Sequence, residues 1–151
     1  DGIASRGLGD VYKRQLFRKI PAAEIRSVAG LLEIIGLVGK ADIKAAFLSH
    51  GEKQRLEIGM LVAQSPDLLL IDEPVAGLTD EETENISSIL LNLASSHSII
   101  VIEHDMEFVR QIAEKVTVLH QGSVLCEGTI DEVQNDPRVM EVYLGLTSSP
   151  A

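Results

Sequence analysis

Apolar and polar positions follow two rhythms along this chain. Residues 68–71 (Leu-Leu-Leu-Ile) and 99–102 (Ile-Ile-Val-Ile) are unbroken apolar runs of strand length, the pattern of strands buried on both faces. Around them the apolar spacing is three to four residues. Ile25, Val28, Leu31, Leu32 and Ile35 predict a helix within 16–38, with Pro21 in its first turn and Gly36 and Gly39 at its end. Ile58, Leu61 and Val62 predict a second helix closed by Pro66; Ile86, Ile89, Leu90 and Leu93 a third; Phe108, Val109 and Ile112 a fourth. Start signals agree. Ser49 with Glu52 and Thr79 with Glu82 are capping boxes, and Asp105 is an N-cap. Residues 116–119 read as a third strand, turned by 120–123 into Val124-Leu125-Cys126 as a hairpin. Two short helices follow, the second opened by Asn135-Asp136 with Pro137 just inside and stopped near Gly145. Strands alternating with helices predict an α/β fold with a mostly parallel sheet flanked by helices.

Composition narrows the function classes. A net charge of −10 argues against nucleic acid as a partner, because phosphate backbones demand a basic surface. Aromatics make up 3% with no Trp, so the core is aliphatic and base-stacking platforms are excluded. The lone cysteine, Cys126, rules out an internal disulfide and any Cys-based zinc site; inside a strand pattern it reads as inert core. No apolar run approaches the roughly 18 residues of a membrane span.

Residues 1–15 show no sustained period. Their last six, DVYKRQ, are what GAT-GTG-TAT-AAG-AGA-CAG encodes, a string resembling a transposon-end sequencing adapter. The segment is expected to be non-native and disordered and is set apart from the fold.

The chemistry concentrates at two strand ends. One apolar run finishes in Asp72-Glu73 and the other in Glu103-His104-Asp105. In a parallel sheet both ends lie on one edge, where ligands of open α/β folds bind. Metal-assisted phosphoryl transfer needs such a set: an acid for Mg²⁺, a second carboxylate for the attacking water, and a polar group at the transferred phosphate. A His–carboxylate metal site lacks HxH or HExxH spacing, and a Ser–His–Asp hydrolase lacks its G-x-S-x-G elbow. His97 and His120 fall at turns and read as solvated loop histidines. The helix start at Ser49 supports two readings. Ser49 caps the helix, and the unpaired N–H groups there, with Gly51 allowing close approach, suit a phosphate.

Taken together, LSHGEKQR at 48–55, LLLIDEP at 68–74 and IEHD at 102–105 resemble the signature motif, Walker B and switch histidine of an ABC-transporter ATPase. The resemblance runs from Leu16 to Gly145. DEPVAGLTDEETE, EHDMEFVR and VTVLHQGSVLCEGTIDEVQNDPRVMEVYLG look most like the urea-importer branch, a relative of the branched-chain amino-acid importers. It implies a P-loop NTPase fold and ATP with Mg²⁺ as cofactors. Leu48, Ser49, His50, Gly51 and Glu52 would grip the γ-phosphate of ATP held by an opposite subunit. Asp72 would position Mg²⁺, directly or through water, Glu73 would be the catalytic base, and His104 would sense the γ-phosphate. Gly77, Leu78, Thr79 and Asp80 would line the dimer interface. The implied partners are an identical or homologous ATPase subunit, two membrane permease subunits and, indirectly, a periplasmic solute-binding protein, with the protein peripheral on the cytoplasmic face of a bacterial inner membrane. Three positions depart from the family: His50 for a glycine, Glu52 for a glutamine, and Thr79 for an aspartate with Asp80 one place later.

No G-x-x-x-x-G-K-[ST] string occurs, nor the family's glutamine-bearing loop. The expectation is a C-terminal part of an ATPase: 16–47 a portion of the helical subdomain, 48–146 the C-terminal part of the core, and 147–151 a disordered tail. Alone it should neither bind ATP tightly nor hydrolyse it. The leading function is the ATPase of a urea importer, with branched-chain amino-acid import as the alternative. A nucleotide-free interaction domain or a non-transport ABC protein are the readings from other classes.

Overall fold

The computed structural model describes residues 21–144; expectations for 1–15, 16–20 and 147–151 lie outside the described residues. These residues form two compact units that divide between Ser65 and Pro66.

The first unit is helical. Helix α1 (Ala22–Ile34) takes Pro21 as its N-cap, one position before the first turn predicted for it. It ends in a Schellman arrangement: Leu37 N–H donates to Leu32 O at 2.8 Å and Gly36 N–H to Glu33 O at 3.1 Å, with Gly36 at φ +66°. The apolar period carries past this stop, so the predicted extension to residue 38 is replaced by a 3₁₀ turn at Val38–Lys40. Ile25 and Val28, expected inward, are more than half exposed; Leu31 and Leu32 are half-buried, and the fully buried residues, Ile35 and Leu37, lie past the helix end. Arg55 seals that end by donating from Nη1 to Ile35 O (3.1 Å) and Gly36 O (3.3 Å).

A second 3₁₀ turn at Ala45–Phe47 leads into α2 (His50–Val62), whose N-cap is Ser49. Ile58 and Val62 are buried, whereas Leu61 is 38% exposed and leaves the predicted stripe. Gly59 marks a close approach: a Cβ there would stand 2.8 Å from Ile35 Cδ1, so a larger residue would require the Ile35 side chain to shift.

The second unit carries the strands. β1 (Leu68–Asp72) pairs in parallel with β2 (Ser98–Ile102), from Leu68 opposite Ser98 to Asp72 opposite Ile102. Between them runs α3 (Asp80–Ala94), capped by Thr79, which buries Ile86, Ile89, Leu90 and Leu93, the four residues its spacing predicts. After β2, α4 (Met106–Ile112) starts at Asp105 and buries Phe108 completely. Helices α3 and α4 are tied by the buried Ser87, whose hydroxyl lies 2.8 Å from Gln111 Oε1 and 3.1 Å from Thr83 O.

β3 (Val116–His120) and β4 (Ser123–Gly128) form the expected hairpin around Gln121-Gly122, at φ +48° and +76°, the left-handed pair of a type I′ turn. Val118 pairs with Cys126 but Leu119 with Val124, so Leu125 is an extra, bulged residue. His120 thereby ends a strand rather than sitting in the loop, and Cys126 is only half-buried. Helices α5 (Ile130–Gln134) and α6 (Pro137–Leu144) complete the unit, burying Ile130, Val133 and Val139. Thr129 and Glu132 make a third capping box, which the sequence reading overlooked.

Among the described residues the strands form a parallel pair and an antiparallel pair, the pairings expected of the two apolar runs and of the hairpin. One correction concerns burial: the apolar runs are not buried on both faces. Leu69 and Ile71 are buried and share a face with the half-buried Ile99 and Val101, while Leu68, Leu70, Ile100 and Ile102 on the other face are 46–64% exposed. Parallel strands stay apolar on both faces when both are covered; here α3 packs against β2 and covers one.

Candidate functional site

The acids that end β1 meet the polar residues that end β2. Parallel pairing in register places Asp72 beside Ile102, and the next residue on each strand is Glu73 or Glu103. Glu73 leaves the strand abruptly. Its backbone adopts φ +46° while its N–H still donates to Ile102 O at 2.9 Å. A non-glycine residue in the left-handed region costs on the order of 1 kcal/mol and persists only where surrounding contacts impose it. Here the tight turn from 73 to 78 imposes it: Ala76 N–H donates to Glu73 O at 3.3 Å and Leu78 N–H to Val75 O at 3.1 Å, with Gly77 at φ +71°.

The result is an exposed carboxylate beside an exposed imidazole. Glu73 Oε1 lies 3.9 Å from His104 Nδ1, with side chains 57% and 75% exposed. Directly beneath them Glu103 is buried, its side chain 1% exposed, with Oε2 3.6 Å from the same His104 Nδ1. Asp105 faces the other way in function. Its Oδ1 accepts from Glu107 N–H (2.9 Å) and Phe108 N–H (3.1 Å), the helix-capping role predicted for it. Glu103 is the residue at this edge that the sequence reading left without a role. A carboxylate directly after an apolar strand is the signal that pointed to it.

Among the described residues no three His, Cys, Asp or Glu side chains cluster as a metal cage. The donor for a metal at the end of β1 is the exposed Asp72 carboxylate. That donor fits Mg²⁺, which keeps waters and takes phosphate oxygens beside one or two carboxylates rather than a complete protein shell.

Within the first unit, the start of α2 holds the other predicted residues. The capping box is complete: Glu52 N–H donates to Ser49 Oγ at 3.2 Å and Ser49 N–H to Glu52 Oε2 at 2.9 Å. Glu52 also pairs with Lys40 at 3.1 Å through its other oxygen. The Ser49 N–H bond first, and Lys40 second, hold the Glu52 carboxyl below its ordinary range. Leu48 and Gly51 are buried, His50 is exposed. Glu52 therefore completes the cap and has a counter-charge in Lys40. Thr79 caps α3 in the same way, its N–H donating to Glu82 Oε2 at 3.1 Å and its Oγ1 accepting from Glu82 N–H at 3.3 Å, with Gly77, Leu78 and Asp80 flanking it.

The chain is similar in sequence and fold to known proteins. A family model described as "ABC transporter" matches residues 10–76, starting inside the stretch set apart above, and one described as "Branched-chain amino acid ATP-binding cassette transporter" matches residues 123–145. Among solved structures, the chain superposes on MJ1267, an ATP-binding cassette of an ABC transporter in its ADP conformation, with a TM-score of 0.77, 27% identity, 92% of this chain and 56% of that one. CbiO1 of Clostridium perfringens, part of the ABC transporter complex cbiONQ, aligns with a TM-score of 0.71 and 30% identity over 90% of this chain and 56% of that one. The fold is thus that of the ABC-type ATP-binding cassettes, P-loop NTPases by architecture.

Curated proteins similar in sequence include branched-chain amino acid transport ATP-binding proteins. The chain is 37% identical over 137 residues to the high-affinity branched-chain amino acid transport ATP-binding protein LivG of Salmonella typhimurium, covering 89% of this chain and 54% of LivG. It is 34% identical over 140 residues to BraF of Pseudomonas aeruginosa, a protein of the same description, covering 91% of this chain and 55% of BraF. The chain spans about half the length of the curated relatives it matches.

Proposed function

We propose that this chain is the ATP-hydrolysing portion of an ABC importer subunit of the branched-chain amino-acid type. The observation that carries the reading is the exposed Glu73–His104 pair, 3.9 Å apart at the carboxyl edge of a parallel strand pair, with Glu73 turned out of β1 by its left-handed backbone. Glu73 acts as the base that orients the attacking water and takes its proton, and His104 contacts the transferred phosphate. Asp72, with its carboxylate at the strand end, would hold Mg²⁺ directly or through water, and the ion would supply charge neutralisation to the phosphate oxygens of ATP. The helix start at Ser49 and Gly51, with Leu48, His50 and Glu52 around it, offers N–H groups and a positive helix end to a γ-phosphate presented by a second ATPase subunit. The 77–80 turn lies against that subunit.

LivG and BraF favour branched-chain amino acids as cargo over the urea expected from the motifs. The partners are a second ATPase subunit, two permease subunits and a periplasmic solute-binding protein, with the ATPase on the cytoplasmic face of the inner membrane. No helix among the described residues is long and apolar enough to cross a membrane. Because the sequence holds no G-x-x-x-x-G-K-[ST] cradle, turnover requires a polypeptide that supplies one, and the 151-residue chain by itself is expected to be inactive.

In the complete gene product, Glu73→Gln should keep ATP binding and lower hydrolysis by about 10²- to 10⁴-fold, the worth of a positioned general base. Unchanged hydrolysis would remove Glu73 from this role. Uptake of labelled leucine against labelled urea, in cells lacking the subunit and complemented with it, decides the cargo.

A further inference from the structure

We propose that Glu103 is a positioning residue that locks the turn after β1 to the turn after β2, and so sets where Glu73 and His104 stand relative to each other. The proposal rests on the catalytic reading of that pair. Glu103 is the residue that follows β2, and its carboxylate is buried. A buried carboxylate is costly unless its oxygens are matched by donors. Each oxygen here serves a different turn. Oε1 accepts from Val75 N–H at 3.3 Å, two residues beyond Glu73. Oε2 accepts from His104 N–H at 2.9 Å and Asp105 N–H at 3.3 Å, and faces His104 Nδ1 at 3.6 Å. One rigid group therefore bridges 28 positions of sequence. It supplies part of the constraint that holds Glu73 in its left-handed conformation, since the turn that carries Glu73 is pinned at Val75.

Glutamine at 103 has the same shape but turns an NH₂ group toward one of the two turns, setting donor against donor. Alanine leaves all three N–H groups without this acceptor.

The test uses the complete gene product with Glu103→Gln and Glu103→Ala, His104→Ala, and the Glu103→Gln/His104→Ala pair. Amide hydrogen exchange should quicken about tenfold or more at Val75, His104 or Asp105, beyond any change at the strand amides of Ile71 and Val101, as expected for loss of a bond to a charged acceptor. The kcat for ATP should fall about tenfold with KM within about twofold, because His104 is one phosphate contact among those that hold the nucleotide while the positions of Glu73 and His104 govern the chemical step. On the His104→Ala background, Glu103→Gln should cost less than about twofold more, the non-additivity of residues acting as a unit. Exchange at all three amides that merely tracks the strand amides overturns the proposal, as do losses that multiply in the double variant. Should Glu103→Ala not fold, Glu103→Gln alone decides. The outcome separates from that of the functional reading: full turnover in Glu73→Gln refutes the reading, while the exchange data still decide the bridge.

Discussion

The start of α2 carries two candidate roles for Ser49, and three substitutions separate them. As a cap, Ser49 contributes its Oγ to Glu52 N–H at 3.2 Å. Ser49→Ala removes that bond while the return bond, Ser49 N–H to Glu52, survives because it uses the backbone. The cost should be about 1 kcal/mol, and Ser49→Gly should cost only a few tenths. Ser49→Asp restores a side-chain acceptor and places negative charge at the positive helix end, so stability should return to within about 0.5 kcal/mol of wild type. The same aspartate would oppose a phosphate. Two like unit charges about 4 Å apart repel by about 4 kcal/mol at an effective dielectric of 20 and about 1 kcal/mol in water. ATP turnover by Ser49→Asp should therefore drop by at least about fivefold and by up to about a thousandfold. Urea denaturation midpoints of the three variants read the cap, and steady-state hydrolysis by the complete protein reads the phosphate contact. Turnover within about twofold of wild type for a well-folded Ser49→Asp would show that this helix start only caps. Unchanged stability in Ser49→Ala would refute the capping reasoning.

Two further outcomes follow from the packing and the charges. Phe108 is fully buried, so Phe108→Ala should destabilise the second unit by about 3–5 kcal/mol, read as a lowered urea midpoint; a shift under about 1 kcal/mol would mean that the site collapses freely around the cavity. Arg138 holds the Asp136 carboxyl at about 2 by its side-chain hydrogen bonds first and its backbone N–H second, against an ordinary 3.8. The depressed value means that the stabilisation of the α6 start is fully present above about pH 4 and is lost as pH falls through about 2. In Arg138→Ala the Asp136 titration, followed by NMR, should move up toward its ordinary value, and an unmoved midpoint would contradict the assigned cause.

Local chemistry was legible in the sequence because it is written at short range. The capping boxes at Ser49–Glu52 and Thr79–Glu82 both formed, since each joins groups three residues apart that any helix starting there brings together. The inward face of α3 followed its period, and so did the hairpin turn. The two strand ends were legible the same way, as polar groups that stop an apolar run. What escaped was long-range. The end of α1 was marked by Gly36 in the sequence, but the arginine from another helix that seals it was not. Ile25, Val28, Leu70 and Ile100 obey the buried pattern and yet lie exposed, because a pattern shows that a face is apolar and not that a partner covers it.

By itself, then, the sequence determined where helices begin and where the apolar runs stop in polar residues, because capping, turn geometry and hydrophobic period act within a few residues. Only the tertiary structure decided that Glu73 turns out in a left-handed conformation, that it stands 3.9 Å from His104, and that Glu103 is buried beneath both. Those facts arise from parallel pairing of strands 30 residues apart in register, a contact that no local pattern encodes.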